Sequence, residues 1–539
     1  MEEILLNKPG QKIILLGNES IVRGALESGV QFISTYPGTP ASEIGDVFAK
    51  IQKSKPKSFH FEYSTNEKVA LEAGIGASFS GLKTLVAMKN FGLNVALDAL
   101  FPFVYTGTKG PTVIVVADDP SCHSSAQSEE NSRGLSLTAH IPTLEPSDPQ
   151  ECKDFVKLGF EISERFKIPV MIRETTRVAH QKMPVKLGAF KKIASIEGKF
   201  IKNPKQFVTL PPRVLEMKSE LLEKIEKIKE VSEKSEMNSI KKKSSKGVGI
   251  ITSGISHLYV MESLKELNLN LPVFKLGFFY PLPEKKIKNF IKGLKKVLIA
   301  EELEPYLEKE ILVLAKEVNC NLEVFGKNLI PETGELKPEI ITFAIAKVTN
   351  KKFSIPDSKF KSSTIKRFPQ LCPGCPYWFV FNGLKKAVDP KQVVFGGDIG
   401  CYMLAGFPPH FVQDYLSCMG SSIGIAHGIK KSTKQKVITL IGDSTFFHSG
   451  IPALINTVFN KSNPLIVILD NQTTAMTGHQ PHPGACGIKM ENIVRACGVK
   501  NLKIIDPANQ AEFLKTIKEF LNKKEVSVII ARHPCIFVK

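Results

Sequence analysis

Tryptophan is almost missing from this chain, one in 539 residues, although there are 34 phenylalanines. No apolar run reaches the ~18 residues a membrane span needs, and the opening MEEILLNKPGQK has neither a basic leader nor a cleavable apolar stretch. These absences predict a cytoplasmic protein with no membrane partner. Ten cysteines over such a length are too few for a disulfide-stapled secreted scaffold. The net charge of +19 comes without any nucleic-acid-binding motif, its lysines scattered as well as gathered in KKKSSK near Lys241. It reads as solvated surface suited to acidic partners, with no nucleic acid among them.

What the chain does hold is a succession of strand and helix patterns, with 42% hydrophobic residues to fill their cores. The length implies about three or four domains at ~150 residues each. The predicted class is α/β, with several doubly wound parallel-sheet domains. Residues 1–190 alternate strand and helix. In 191–246, Leu215, Leu222, Ile225 and Ile228 fall at helical spacing before SEKSEMNSIKKKSSKG, an exposed linker. Residues 247–352 resume the α/β pattern, and 353–539 form the last segment.

The most informative stretch is KVITLIGDSTFFHSGIPALINTVFNKSNPLIVILDNQ, residues 436–472. Two β-branched apolar runs flank a helical pattern, giving one βαβ unit. Asp443 and Asn471 then leave neighbouring parallel strands on one sheet edge, where open α/β sheets bind ligands. Asp443, the Asn471 amide oxygen and a carbonyl at Thr473 suit the oxygen shell of Mg2+ carrying a diphosphate. Gly442 and Ser444 lie where backbone must approach phosphate. The pair of motifs, one βαβ unit apart, matches the signature for thiamine diphosphate.

Towards the N-terminus, Tyr36-Pro37-Gly38-Thr39-Pro40 makes a tight loop at a strand end, with the Thr39 hydroxyl towards a crevice. Glu67 in STNEKVALEAGIGAS can be read twice. Ser64-x-x-Glu67 is a capping box, and a carboxylate here could also protonate N1′ of the thiamine aminopyrimidine and so activate thiazolium C2. Lys89, Asn94, His123 and Arg133 are expected in loops after apolar strands, with His123 and Arg133 as candidates for a substrate carboxylate. Cys372-x-x-Cys375, with Cys401 and Cys535, suits a soft centre, either zinc or iron–sulfur. Cys152, Cys320, Cys418, Cys486 and Cys497 sit singly and read as core cysteines.

Through YPGTP, STNEKVALEAGIGAS, MKNFGLNVALDAL, ADDPSCHSS, CPGCPYW, DIGCY, GDSTFFHSG and DNQTTAMTGHQPHPG, the chain resembles indolepyruvate:ferredoxin oxidoreductase large subunits, within the pyruvate:ferredoxin oxidoreductase superfamily. The resemblance implies a pyrimidine-binding domain over 1–190, a connecting helix and linker over 191–246, a transketolase C-terminal-like domain over 247–352 and a diphosphate-binding domain over 353–539. It implies Glu67 as the cofactor-activating acid and Thr39 as a substrate-side hydroxyl. Gly38, Asn94, Gly442 and Ser444 would contact cofactor, and His448 would join His123 and Arg133 near substrate. Asp443, Asn471 and Thr473 become Mg2+ ligands, and Cys372, Cys375, Cys401 and Cys535 ligands of one [4Fe-4S] cluster. The implied reaction is oxidative decarboxylation of an aryl 2-oxoacid to its acyl-CoA. Implied partners are coenzyme A, a small γ-domain-like β subunit and a ferredoxin or ferredoxin-like subunit, in a hetero-oligomer. The family's C-terminal ferredoxin-like Cys-x-x-Cys-x-x-Cys repeats have no counterpart before Lys539, so electrons are expected to leave from the one cluster.

Overall fold

The computed structural model describes residues 3–55, 58–124, 126–191, 193, 195–241, 247–353 and 369–538. Two compact units divide the chain, Met1–Lys359 and Phe360–Lys539. Most of KKKSSK (242–246), and the start of the segment expected from 353, lie outside the described residues.

In the first unit a seven-stranded sheet has the order Phe278–Tyr280, Thr143–Leu144, Val170–Thr175, Thr112–Asp118, Thr84–Lys89, Phe32–Thr35, His60–Tyr63. Only the Phe278–Tyr280 edge runs antiparallel. TVIVVAD and VMIRET are buried along their whole length. Helices cover both faces of such strands, so no polar alternation is required of them. The consequence for function is positional: the loop after Thr35, Lys89 and Asp118 all leave the carboxyl edge.

A second, five-stranded sheet of this unit has the order Glu323–Phe325, Lys296–Ala300, Val248–Ser253, Val273–Leu276, Ser239–Lys241. The run PVFKLGFFYPLP therefore feeds both sheets and breaks at Gly277. A Cβ on Gly277 would lie 2.8 Å from Met237 Cβ. Part of the expected linker, Ser239–Lys241, is an antiparallel edge strand on Val273–Leu276.

The expected helix exists as Arg213–Lys234, but in a different rotational phase. Met217, Leu221, Ile225 and Ile228 are buried, whereas Leu215 and Leu222 are 73% and 43% exposed. The buried stripe recurs every three or four residues and packs on the core of the seven-stranded sheet.

The second unit is one parallel sheet, Val393–Gly396, Lys436–Gly442, Leu465–Asp470, Ser527–Arg532, Asn501–Ile505. Its strand residues alternate between two cores. Ile438, Leu440, Val467 and Leu469 face helices Tyr377–Ala387 and Gln510–Phe520, while Ile441, Ile466 and Ile468 face Ile423, Leu454 and Val494. This is the doubly wound arrangement expected. Among the described residues no helix is long and apolar enough to cross a membrane.

Candidate functional site

Lys436–Gly442 and Leu465–Asp470 are adjacent parallel strands, with Gly442 opposite Leu469. Asp443 and Asn471 thus emerge side by side at the carboxyl edge. Asp443 is buried, and its Oδ1 accepts from the Ser444 N–H at 2.7 Å. Its Oδ2 accepts from the N–H groups of Asn471 at 3.1 Å and Gln472 at 2.8 Å. Gln472 stands at φ +65, a left-handed turn that brings both donors to the same oxygen. Asn471 Oδ1 accepts from the Thr473 N–H at 3.3 Å, and Thr474 Oγ1 reaches Ser444 Oγ at 3.0 Å.

These donors are hard oxygens held by backbone, which fits an Mg2+ site completed by diphosphate and water. They comprise the Asp443 carboxylate and the Asn471 amide oxygen. Among the described residues no group of three or more His, Cys, Asp or Glu side chains is placed to hold a metal ion. A Cβ on Gly442 would sit 2.8 Å from Tyr402 Cε1, so that approach belongs to an aromatic wall. The helical run that starts at Asp443 widens into a π turn at Phe446–Gly450, which carries His448. Such turns are frequent at functional sites. His448 Nδ1 lies 2.7 Å from Ser449 Oγ.

Sequence reasoning passed over three residues of this edge. His482 Nε2 lies 3.2 Å from Asp443 Oδ2, off the line of a hydrogen bond. Asp398 accepts from the N–H groups of Ile399, Gly420 and Ser422 at 2.7–2.9 Å, tying the loop before Cys401 to the helix at Ser421. Tyr402, next to Cys401, meets Tyr377 edge-to-face with centroids 6.1 Å apart. Their signal was only adjacency to motif residues.

The four cysteines draw together at the same edge. The Cys535 N–H donates to the Asn471 carbonyl at 3.1 Å, and the Cys375 N–H to the Cys372 carbonyl at 3.0 Å. Burial pushes the Cys375 thiol up to about 11, the nearness of Cys372 and Cys535 acting in the same sense. Burial likewise pushes Cys401 up to about 12, with Cys375, Cys535 and Cys372 adding. Cys375 and Cys401 thus lie within electrostatic reach of the other two cysteines, soft donors of the kind an iron–sulfur cluster takes, although among the described residues no three of the four are placed to hold a metal ion. The five single cysteines differ from expectation. Only Cys152 is buried; Cys320, Cys418 and Cys486 are exposed and Cys497 is half-buried. Apolar sequence neighbours do not bury a residue in a loop.

In the first unit Glu67 opens helix Glu67–Phe79 and is buried, but the cap is Asn66, whose side chain accepts from the Val69 N–H. Ser64 instead donates to Glu62 at 2.9 Å, so the capping box is not formed through Ser64. Gly92 leaves room for Glu67, since a Cβ there would lie 2.6 Å from Glu67 Cγ. Thr39 sits in the loop between Thr35 and helix Ser42–Ser54, its Oγ1 3.4 Å from Ser42 Oγ. Asn18 anchors that loop by donating to the Pro40 carbonyl at 2.7 Å. Asn94 lies within helix Asn90–Thr106 instead of a loop; it is exposed and donates to Glu130. His123 is exposed, 3.5 Å from Glu335.

Arg133 is the main correction. It opens helix Arg133–Ala139, fully buried. Its Nε and Nη2 donate to Glu145 at 2.6 and 2.7 Å, Nη2 also to Ser253 at 2.7 Å, and Nη1 to Glu301 at 3.0 Å. That geometry ties the two sheets of this unit and leaves no face for a substrate carboxylate. Arg133→Met takes the guanidinium from two buried carboxylates, Glu145 and Glu301, so a stability loss of about 3–5 kcal/mol is expected, measured by denaturant unfolding. A substrate ligand would instead raise KM at unchanged stability.

The same interior makes stability depend on pH. Burial pushes Glu174 up to about 8 from 4.5, Glu43 adding in the same sense. Burial also pushes Glu302 up to about 7. Each folded carboxyl keeps a proton that its unfolded counterpart releases. Their contribution is full below about 4.5 and is lost as pH rises towards about 8. The melting temperature is therefore expected to fall between these limits, and Glu174→Gln to flatten that slope. Glu145 acts oppositely: it is held at about 2, burial being outweighed by Arg133 and Arg173, and its contribution is lost only in acid.

Residues 23–244 match the family "Pyruvate flavodoxin/ferredoxin oxidoreductase, thiamine diP-bdg", and residues 398–531 match "Thiamine pyrophosphate enzyme, C-terminal TPP binding domain". With the strand-edge geometry above, this defines the class: a thiamine diphosphate-dependent 2-oxoacid:ferredoxin oxidoreductase. The chain is 42% identical to the indolepyruvate oxidoreductase subunit IorA of Methanothermobacter thermautotrophicus, over 99% of its length and 89% of the relative's. It is 42% identical to the Pyrococcus horikoshii IorA, over 99% and 87%. The chain belongs to the IorA family of large subunits. A 2-oxoglutarate:ferredoxin oxidoreductase from Magnetococcus marinus shares the fold at a TM-score of 0.51 and 17% identity, covering 62% of this chain and 65% of that one.

Proposed function

We propose that this subunit carries out oxidative decarboxylation of an aryl 2-oxoacid of the indolepyruvate kind, yielding the acyl-CoA and CO2. The observation that carries the redox half is the 3.1 Å hydrogen bond from the Cys535 N–H to the Asn471 carbonyl, which places Cys535 beside the proposed metal-binding turn. The IorA relatives named above support the aryl substrate.

Thiamine diphosphate supplies the carbanion that 2-oxoacid decarboxylation needs. Glu67 holds the proton at N1′ of its aminopyrimidine. Asp443, Asn471 and the Thr473 carbonyl hold Mg2+ on its diphosphate, with Gly442 and Ser444 alongside. Cys372, Cys375, Cys401 and Cys535 would hold one [4Fe-4S] cluster, which would supply one-electron transfer towards a ferredoxin or ferredoxin-like subunit. Thr39 faces substrate. The four segments keep the division at 190, 246 and 352 as pyrimidine-binding, connecting, transketolase C-terminal-like and diphosphate-binding parts. A small γ-domain-like subunit completes a hetero-oligomer.

The test is anaerobic turnover with a viologen acceptor, comparing aryl 2-oxoacids with pyruvate and 2-oxoglutarate, with and without coenzyme A. Acyl-CoA formation preferring aryl acids is expected. Aldehyde release that ignores both acceptor and coenzyme A would make the protein a non-oxidative decarboxylase.

A further inference from the structure

A 2-oxoacid brings a carboxylate into the site, and with Arg133 enclosed by Glu145 and Glu301 that anion needs another cation. Arg173 is also taken, donating to Asp118 at 2.8 Å and Glu145 at 3.1 Å. His123 lies exposed beside Glu335. Lys89 remains.

Lys89 is the last residue of strand Thr84–Lys89, whose parallel neighbour Phe32–Thr35 runs into the Thr39 loop. Its side chain crosses that loop at Gly38: a Cβ there would lie 2.9 Å from both Lys89 Cγ and Cδ. The glycine thus clears the path for this side chain. The half-buried ammonium stands 4.8 Å over the Phe91 ring. Among the described residues it makes no hydrogen bond and no ion pair. Burial draws its pKa below the ordinary lysine range, opposed by the more distant charges of Asp119 and Glu67. A partly desolvated ammonium without a bonded anion is costly unless a ligand supplies one, and Thr39 and Glu67 are its neighbours on that edge.

We infer that Lys89 receives the substrate's carboxylate. The inference rests on the 2-oxoacid reading above and adds the residue that selects acids over aldehydes. On decarboxylation the bond between carboxylate and carbonyl carbon breaks, its electron pair stays with that carbon, and CO2 departs uncharged. Lys89 then loses its partner. Its pairing is strongest before that bond breaks, so removing it acts on KM more than on kcat.

The experiment compares wild type, Lys89→Met and Lys89→Arg as cofactor-loaded protein. An aryl 2-oxoacid and the aldehyde one carbon shorter, which lacks the carboxylate, are the two substrates. Calorimetric binding of the acid to cofactor-free protein and deuterium exchange at the bound thiamine C2 are read alongside. Lys89→Met should raise KM for the acid roughly 10–100-fold, the size of a lost charged hydrogen bond. It should weaken acid binding in parallel, spare the aldehyde KM and leave C2 exchange intact, and Lys89→Arg should recover most of the loss. Equal effects on acid and aldehyde, unchanged acid binding, or slowed C2 exchange would each overturn the inference, the last by making Lys89 a support for Glu67. If wild type binds the acid without turning it over, the proposed function fails while the binding comparison still decides the role of Lys89.

Discussion

Glu67→Gln slows deuterium exchange at the bound thiamine C2 by about 10²–10⁴-fold, the range expected when one positioned acid or base is lost. The amide keeps the size of the side chain, and so its fit against Gly92. Folding changes little, because Asn66 supplies the cap. The charge lost at the helix N-terminus costs only about 0.3–1 kcal/mol. Cofactor affinity is expected to hold, since the diphosphate ligands proposed above do not include Glu67. NMR of acid-quenched samples gives the exchange rate. An unchanged rate would leave Glu67 as a helix-terminal charge and nothing more.

Asp443→Ala abolishes Mg2+-dependent binding of thiamine diphosphate. Partners of metal ligands that do not themselves touch the metal contribute about 10–100-fold in affinity, so a direct carboxylate ligand should exceed ~100-fold. The substitution also frees three backbone N–H groups that Asp443 now accepts. Thermal melting of the cofactor-free variant must therefore be followed too. Cofactor affinity lost at a near-native melting temperature supports the ligand role. Full occupancy at low Mg2+ would remove Asp443 from the metal.

The βαβ unit around Asp443 and Asn471 was legible because KVITLI and PLIVIL are short β-branched runs and parallel crossovers have one hand. Nothing but local sequence is needed to place both residues on one edge. Arg133 was misread for the converse reason. Its partners Glu145, Ser253 and Glu301 come from distant segments, and a sequence does not say which carboxylates will enclose a guanidinium. Periodicity alone left the phase of helix Arg213–Lys234 ambiguous, since Leu215 and Leu222 keep helical spacing with Ile225 yet face solvent. Ser64-x-x-Glu67 has the capping pattern, but Asn66, one residue before the helix, takes the cap. Lys89 lies in the MKNFGLNVALDAL motif, but the motif gives it no role. Its place over Gly38 exists only once two parallel strands bring the loops together.

On the function proposed above, thiamine chemistry and an iron–sulfur cluster share one sheet edge of this subunit. The direct measurement is low-temperature EPR, with iron and acid-labile sulfide content, on anaerobically prepared protein loaded with thiamine diphosphate and Mg2+, before and after an aryl 2-oxoacid is added. About four irons per chain, as the four-cysteine set requires, and a reduced-cluster signal that appears on adding the acid are expected. Protein that stays iron-free after anaerobic reconstitution, yet binds the cofactor and releases aldehyde, would contradict the account.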